Sequence, residues 1–396
     1  MSRFKSYLNT ATKIIETYQG KTPLAVFLKQ FFAENKKYGA RDRRQIASLC
    51  YHYFRLGFSG SNLPLADKIL IGAFLCDDTP SDFLENIQPE WNSNVSKSLD
   101  KKISLIKDRL DVTGIFPFAS ELSETVNASA FSRSFLIQPD LFLRIRPRIK
   151  IGVFKKLEKL KIDWKLIGDC VVLPNSTSVE DLFVMDKEVV VQDLNSQKVL
   201  DFFKPQDAVF KTRAIPAWDC CAASGGKSLL LMDIFNYRID LTISDIRPSI
   251  ILNLHLRFKK AGIKSYHYFV SDLASNDFEE TLPQEQRMNL KPEIIICDVP
   301  CTGSGTWSRT PEYLSFFKKE MITEYSTKQK QIVSNVIPHL QPGGVFVYIT
   351  CSVFKEENEG VVNFIQEKFK LDILRSEILP GYDKKADTMF VTVLKK

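Results

Sequence analysis

The sequence predicts an α/β protein, with a doubly wound parallel sheet over residues 205–396 that follows an all-helical domain over 1–130 and a small α/β module over 135–204. Three observations lead to this prediction. Apolar residues recur at three- and four-residue spacing in the first region, and short apolar runs flank a Lys-rich segment in the second. In the third, strand-like apolar runs alternate with helical segments, which implies right-handed crossovers and parallel strands.

Length and composition indicate an ordinary folded protein. The 396 residues exceed what one hydrophobic core normally supports, roughly 250 residues, so several cores are expected. Apolar residues make up 44% and charged residues 26% of the chain, close to the average for soluble proteins. No apolar run approaches the roughly 18 residues that span a bilayer, and the first residues lack the apolar core of a secretory signal. We therefore expect no membrane partner and a cytoplasmic location.

The eight cysteines and four histidines exclude some classes of site. The cysteines form no evenly spaced framework and no Cys-x-x-Cys pair, so free thiols are expected. The histidines lie far from one another and at no metal-ligand spacing, so the sequence predicts no metal site.

The positive charge is unevenly distributed. A net charge of +7 is too small by itself to indicate a partner. However, residues 1–60 carry eleven Lys or Arg against three acids, and residues 144–161 carry eight basic residues against Glu158 alone. Phosphate backbones are the expected partners, because neutralising them releases counterions. A solvated surface without a ligand is the alternative.

The helical domain is predicted from its periodicity. Tyr7, Ala11 and Ile14 fall on one helical face, and Ile46 and Leu49 begin a second such pattern. Helix breaks are expected where Gly and Pro occur, at residues 20–23, 38–39, 57–64 and 77–80.

The two regions that follow are predicted from short apolar runs. In the small module, LFLRIRP and DCVVLP read as strands, with an amphipathic helix from about Ile151 to Leu160 between them. The strand-like runs of the third region are AWDCCA, LTIS, YHYFV, EIIICDV and GVFVYIT.

A binding loop is expected after the first of these runs. Gly225 and Gly226 stand at a strand-to-helix turn, where the backbone can approach a ligand closely at the carboxyl edge of the sheet. The G-x-x-x-x-G-K spacing is absent, so a triphosphate is disfavoured. Asp245, after the next strand, is placed to accept ribose hydroxyls, and Asp272, after the third, to face the base. A simple turn without a ligand is the alternative.

Two cysteine motifs carry the chemistry. EIIIC is followed by Asp298 and then Cys301, and GVFVYI is followed by Thr350 and Cys351. Both cysteines come at the carboxyl ends of adjacent strands, so we expect them to face one cleft. For either alone, a small buried hydrophobe is the simpler interpretation, and we assign Cys220, Cys221 and Cys297, which lie within predicted strands, to the core.

A cysteine pair suits the alkylation of a cytosine. Carbon 5 of cytosine is a poor nucleophile, and a thiolate that adds to carbon 6 makes carbon 5 an enamine carbon that can take a methyl group from a sulfonium. Asp298 is the natural hydrogen-bond partner for N3 and the exocyclic amine. The second cysteine could act as base or help to expel the first.

These motifs resemble those of the RNA cytosine-5 methyltransferases of the Sun/RsmB family, in the bacterial type with a NusB-like N-terminal domain. Residues 219–227 resemble the S-adenosylmethionine loop, residues 298–305 with Arg309, Pro311 and Glu312 the motif of the releasing cysteine, and residues 348–352 with 357–359 the nucleophile motif. Residues 38–44, 143–146 and 191–197 extend the resemblance upstream. In DNA cytosine-5 methyltransferases the Pro-Cys cysteine attacks and no Thr-Cys follows on the next strand.

The resemblance implies a Rossmann-like class I methyltransferase domain, a NusB-like RNA-binding domain and an RNA-recognition-like module. It also implies S-adenosyl-L-methionine as cofactor and RNA, in this family ribosomal RNA, as partner; a monomer is the simplest state. Cys351 would be the nucleophile, Cys301 the releasing cysteine and Asp298 a catalytic partner. The cofactor and base pocket would be lined by Cys221, Ala222, Ala223, Ser224, Gly225, Gly226, Lys227, Asp245, Asp272 and Asp298.

Three positions depart from the family pattern. Ser224 stands where the family usually has Pro, which removes a fixed φ from the loop. Ser308 stands where Arg is frequent, and residues 387–390 replace a Gly-rich aromatic ending.

Two other classes of function fit parts of the sequence. A Rossmann-type transferase for a small molecule or protein would need neither paired cysteines nor a basic helical domain. A non-catalytic RNA-binding factor would have no affinity for S-adenosylmethionine.

Overall fold

The structure is a computed structural model that describes residues 2–147, 149–159, 162–206, 213–282, 284 and 290–396. The chain divides into two compact units. The helical unit comprises Met1–Ser120, Asn127–Gln138 and Thr306–Lys319, and the α/β unit comprises Glu121–Val126, Pro139–Gly305 and Glu320–Lys396. The boundaries of the three domains expected from the sequence stay predictions.

The helical unit confirms the expected helical N-terminal region. The helices span Arg3–Thr17, Leu24–Glu34, Ala40–Arg55, Leu65–Cys76, Asp82–Ile87, Pro89–Asn92, Leu99–Ile106, Ala128–Ser134 and Glu312–Phe316. Tyr7, Ala11, Ile14, Ile46 and Leu49 are buried, as their spacing predicts. No helix in the described part of the chain is long and apolar enough to cross a membrane.

The helical unit includes residues 306–319, which directly follow the Cys301 loop in the sequence. The buried guanidinium of Arg55 donates to the carbonyl oxygens of Phe135 at 2.8 Å and Ser308 at 3.0 Å. The carboxylate of Glu312 accepts from the backbone N–H of Leu24 at 3.0 Å. Buried charged groups of this kind persist only when they are hydrogen-bonded, so these contacts fix where the segment packs.

The small module of the α/β unit has a four-stranded antiparallel sheet in the order β2-β3-β1-β4. Its strands are β1 (Leu141–Ile145), β2 (Lys165–Ile167), β3 (Cys170–Leu173) and β4 (Val189–Val191). The expected amphipathic helix spans Lys150–Glu158. Its predicted end, Leu160, and the basic residues Arg148 and Lys161 lie outside the described residues.

A seven-stranded sheet in the order β10-β11-β9-β8-β5-β6-β7 forms the rest of the α/β unit. The strands are β5 (Ile215–Asp219), β6 (Ile239–Asp245), β7 (His267–Val270), β8 (Ile294–Asp298), β9 (Val345–Thr350), β10 (Asp372–Leu379) and β11 (Met389–Lys395). The helices of this part span Gly226–Ile234, Pro248–Ala261, Phe278–Thr281, Glu320–Val336 and Glu359–Phe369. β5 to β9 are parallel, as predicted. β10 and β11 pair antiparallel at one end, which the parallel pattern did not anticipate.

The strand order places the candidate site. β5 lies between β6, which follows it in the chain, and β8, which starts the other half of the sheet. At such a reversal the loops after neighbouring strands turn to opposite faces and leave a crevice at their carboxyl ends. Asp219, Asp245, Asp298 and Thr350 end β5, β6, β8 and β9, so all four lie at this edge.

Candidate active site

A cavity of about 430 Å³ opens at the carboxyl edge of the parallel strands, a size typical of ligand pockets. It brings together seven of the residues predicted for the site: Cys221, Ala223, Asp245, Asp272, Asp298, Cys301 and Cys351. Its other lining residues include the apolar side chains of Ile246, Leu273, Val299, Pro300 and Ile332. An apolar wall with a few carboxylates suits a nucleoside, whose base is flat and whose ribose carries hydroxyls.

The Gly-rich loop adopts a conformation that few residues tolerate. Ala223 and Gly225 have φ angles of 45° and 77°, in the left-handed region. A Cβ on Gly225 would meet the ring of Phe258 at 2.8 Å, so glycine is required both for φ and for packing. The helix Gly226–Ile234 starts directly after this turn, which leaves its first N–H groups at the edge of the sheet.

Asp245 is the acid predicted to bind ribose hydroxyls, and its carboxylate is already engaged. Its Oδ2 accepts from the N–H of Ala223 at 3.1 Å, and its Oδ1 from the N–H of Arg247 at 3.0 Å. The Arg247 guanidinium supplies two further contacts, from Nε to Oδ1 at 2.9 Å and from Nη2 to Oδ2 at 3.2 Å. Because the Arg247 side chain is 56% exposed, it can turn away and release the carboxylate to a ligand.

The other residues predicted to bind the cofactor lie in the cavity wall or are hydrogen-bonded next to it. Ala222 is buried, and its N–H donates to the carbonyl oxygen of Ser244 at 2.9 Å. Asp272 lines the cavity, and its Oδ1 holds its own loop by accepting from the N–H of Ala274 at 3.0 Å. The carbonyl oxygen of Ser224 accepts from Arg257, on the helix Pro248–Ala261, and that of Gly226 accepts from the Gln192 amide, just after β4.

Lys227 connects the loop to the catalytic side of the cavity. Its ammonium lies 2.5 Å from Oδ2 of Asp298, and both side chains are largely buried. Burial acts to lower the pKa of Lys227, but the charge of Asp298 and its hydrogen bond outweigh burial and raise this pKa. A permanent cation therefore faces the carboxylate that was predicted to bind the base.

The two candidate catalytic cysteines lie in contact. The sulfur atoms of Cys301 and Cys351 are 3.3 Å apart, and both thiols are partly exposed to the cavity. The hydrogen bond to Cys351 and burial raise the pKa of Cys301. Cys301 is therefore held as a thiol that can donate to the sulfur of Cys351.

Close backbone packing joins the loops that carry these cysteines. The N–H of Gly305 donates to the carbonyl oxygen of Cys351 at 2.8 Å, and the carbonyl of Gly305 accepts from Thr388 at 2.9 Å. A Cβ on Gly305 would stand 2.1 Å from the Thr388 carbonyl oxygen and 2.9 Å from that of Cys351. Glycine is thus the only residue that fits at this position.

Glu357 links the same two loops through its buried carboxylate. It accepts from the N–H of Thr302 at 2.9 Å, from the Thr302 hydroxyl at 2.6 Å and from the Gln329 amide at 3.0 Å. It also accepts from the hydroxyl of Ser352, the neighbour of Cys351. Burial raises the pKa of Glu357, opposed by these hydrogen bonds. The sequence motif contained Glu357 and Ser352, but Thr302 and Gln329 come from distant segments, so the link between the two loops could not be predicted from the sequence.

Other residues of the cavity were missed in the sequence. Lys328 and Ile332 line it from the helix Glu320–Val336, and they stand one turn apart on one helical face. Their spacing of four residues was the sign of this that the sequence contained, because the helix Glu320–Val336 leads from β8 to β9 and packs beside the crevice. The sequence placed Cys221 in the core by its strand position and in the cofactor pocket by the family resemblance. The core assignment is wrong: Cys221 follows the end of β5, is partly exposed and lines the cavity. Cys220 and Cys297 are buried as expected, although Cys220 also follows the strand.

Within the described residues, no group of three or more His, Cys, Asp or Glu side chains is placed to hold a metal ion.

Comparison with known proteins agrees with this geometry. Residues 211–391 match the model of the family described as 16S rRNA methyltransferase RsmB/F. The chain is 27% identical over 217 residues to ribosomal RNA small subunit methyltransferase B of Salmonella arizonae, covering 52% of this chain and 47% of that protein. It is 29% identical over 170 residues to the Enterobacter sp. protein of the same name, covering 43% and 36%. The chain thus spans about half, or less, of the length of these relatives.

Two solved structures share the fold. PH0851 superposes over 100% of both chains with a TM-score of 0.70 and 16% identity. A methyltransferase homolog protein from Pyrococcus horikoshii covers 68% of this chain and 90% of its own, with a TM-score of 0.54 and 19% identity. The predicted Rossmann-like methyltransferase fold is confirmed, and residues 211–391 of this chain are similar to the RsmB/F methyltransferase family.

Proposed function

We propose that this protein methylates carbon 5 of a cytosine in RNA, with S-adenosylmethionine as the methyl donor and Cys351 as the nucleophile. The observation that carries the proposal is the 3.3 Å contact between the sulfur atoms of Cys301 and Cys351, in a cavity that also contains Asp298. A transferase that moves a methyl group directly to an amine or hydroxyl has no use for two thiols there.

The cavity suits the proposed cofactor. Asp245 would hold the ribose hydroxyls once Arg247 turns away, and Leu273, Pro300 and Ile332 would enclose the adenine. When bound, S-adenosylmethionine supplies an electrophilic methyl group on a positively charged sulfur. The carboxylate of Asp272, and that of Asp245 once Arg247 turns away, would favour the binding of such a cation in the cavity.

The chemistry begins with Cys351. Its thiolate adds to carbon 6 of the cytosine, the 5,6 double bond opens, and carbon 5 becomes nucleophilic. A proton shared between N3 and the carboxyl group of Asp298 moves to N3 as the thiolate adds and neutralises the negative charge that develops on the ring, and the same carboxyl group accepts from the exocyclic amine. Lys227, 2.5 Å from Asp298, orients that carboxyl group.

Release depends on Cys301. The hydrogen bond to Cys351 and burial raise the pKa of Cys301, so the proton stays on Cys301 while the two sulfur atoms are in contact. Once Cys351 is bound to carbon 6 as a thioether, it no longer holds the proton on Cys301; the partly exposed Cys301 gives this proton to solvent, and the resulting thiolate takes the proton from carbon 5. Loss of this proton restores the double bond and expels the Cys351 thiolate.

RNA, and ribosomal RNA in particular, is the proposed substrate. The names of the relatives support ribosomal RNA, and the exposed basic residues of the helical unit suit a phosphate backbone. We propose that the protein works as a monomer in the cytoplasm, where ribosomal RNA is available.

The decisive test compares Cys351→Ala with the unchanged chain. Transfer of tritium from labelled S-adenosylmethionine to RNA should fall to background, while the Kd for S-adenosylhomocysteine should stay within a few fold. Cys76→Ala, in the helical unit, is the matched control and should keep full activity. Full transfer by Cys351→Ala would exclude the proposed mechanism, and bisulfite sequencing of the product identifies the modified base.

A further inference from the structure

Arg257 connects the small module with the Gly-rich loop. It lies on the helix Pro248–Ala261. Its Nε donates to Oδ1 of Asp186 at 2.7 Å. Its Nη1 donates to the carbonyl oxygen of Ser224 at 2.9 Å and to the Ser224 hydroxyl at 3.1 Å. One planar guanidinium therefore bonds to both segments at fixed angles, which a flexible ammonium could not do.

The module side of this contact is held by further hydrogen bonds and an ion pair. Asp186 lies in a turn just before β4 with a φ of 63°, and its N–H donates to the Val189 carbonyl at 2.8 Å. Its carbonyl accepts from the guanidinium of Arg146, which is itself paired with the buried carboxylate of Asp233 at 2.8 Å. The side chains of Asp186 and Arg257 are only 16% and 18% exposed, so solvent weakens their ion pair little.

The loop side needs an external support. Ala223 is held at a φ of 45°, a conformation that costs free energy for a residue with a Cβ. Asp245 binds the N–H of Ala223 from the cavity side, and the same carboxylate must bind a ligand. On the opposite side, the Gln192 amide reaches the carbonyl of Gly226 at 3.4 Å, so Arg257 makes the shorter contact with the loop.

We propose that Arg257 is a positioning residue that transmits the position of the small module, through Asp186, to the loop that binds the cofactor. This rests on the proposed function. The sequence lacks a proline at Ser224 that would fix φ there, and the guanidinium restrains the same residue from outside. Cofactor affinity then depends on a module that contains none of the cavity residues.

The test measures the Kd for S-adenosylhomocysteine by titration calorimetry for Arg257→Met, Asp186→Asn and the double variant. Arg257→Met should weaken binding about tenfold, because the loop loses its restraint. Asp186→Asn should weaken it by a smaller factor. The double variant should bind as Arg257→Met does, since both substitutions break one chain of contacts. In turnover assays the KM for S-adenosylmethionine should rise while kcat at saturation changes less than twofold.

Arg213→Met is the matched control. It removes an ion pair to Glu293, at 2.6 Å, in the same unit but at an exposed position, and should leave the Kd unchanged. If the unchanged protein fails to bind S-adenosylhomocysteine, the proposed function is wrong. If it binds and Arg257→Met binds equally well, only the positioning role is wrong. Additive effects in the double variant would likewise contradict transmission through Asp186. Should Arg257→Met not fold, Asp186→Asn alone decides by the same criterion.

Discussion

The sulfur atoms of Cys301 and Cys351 lie 3.3 Å apart although the residues are fifty positions apart in the chain. The parallel pairing of β8 with β9, in which Asp298 stands opposite Ile349, brings the two loops to one edge. Glu357 then binds Thr302 and Ser352, one neighbour of each cysteine. The distance between the thiols is therefore set by the sheet and by one buried carboxylate.

Replacing Cys301 should trap the reaction after methyl transfer. Cys301→Ala leaves Cys351 free to add to the ring but removes the group that takes the carbon 5 proton, so a covalent protein–RNA adduct should accumulate. Labelled RNA that migrates with the protein on a denaturing gel measures it. The double variant Cys301→Ala with Cys351→Ala should form none. Absence of an adduct in the single variant would favour a transferase with direct transfer.

Glu357→Gln should reduce kcat by about ten- to a hundredfold and lower stability by about 1–3 kcal/mol, as expected when buried donors lose their acceptor. The Gln amide has one acceptor oxygen where the Glu357 carboxylate has two, and this oxygen would face the donors of Thr302, Ser352 and Gln329. Glu367→Gln, on an exposed position of a nearby helix, should change neither quantity. Equal kcat for Glu357→Gln and the unchanged enzyme would show that the cysteine loops are held in place by other contacts.

The main features of the site follow from local patterns and the rules of parallel sheets. Asp298 with Cys301 and Thr350 with Cys351 each follow an apolar strand, and the carboxyl ends of parallel strands share an edge. The sequence therefore predicted one cleft containing both cysteines, and the cavity contains both.

Contacts between distant segments could not be predicted in this way. Residues 306–319 directly follow the Cys301 loop, yet they pack in the helical unit through Arg55 and Leu24, which no periodicity indicates. The antiparallel β10 and β11 follow the last helix without a crossover, so the alternation of strands and helices gave no information on their direction.

Asp219 should make stability depend on pH. Burial raises the pKa of Asp219 from 3.8 to about 7, and its Oδ1 has no hydrogen-bond partner among the described residues. The folded state thus binds this proton more tightly than the unfolded state, so stability should fall as pH rises from about 4 to about 7 and stay lower above. At about 1.36 kcal/mol per pKa unit the decrease is on the order of 4 kcal/mol.

Asp219→Asn should remove most of this decrease. Urea denaturation at pH 4.5, 6 and 8 should give a flatter dependence of the unfolding free energy on pH than for the unchanged protein. Asp383→Asn, at an exposed position, serves as the control and should leave the slope as it is. If the unfolding free energy of Asp219→Asn fell with pH as steeply as that of the unchanged protein, Asp219 would be ionised throughout this range.

The basic N-terminal residues should bind RNA phosphates. Lys36, Lys37 and Arg44 are exposed in the helical unit, so their replacement by Gln should cost little stability. RNA affinity should fall, and the slope of log K against log salt should flatten by about 0.7–0.9 for each phosphate that the protein no longer neutralises. Filter binding between 50 and 300 mM salt measures both. Replacing Lys259, Lys260 and Lys264, exposed in the α/β unit, removes equal charge and should leave the slope nearly unchanged. Should the second set flatten the slope and the first not, the RNA binds to the α/β unit instead.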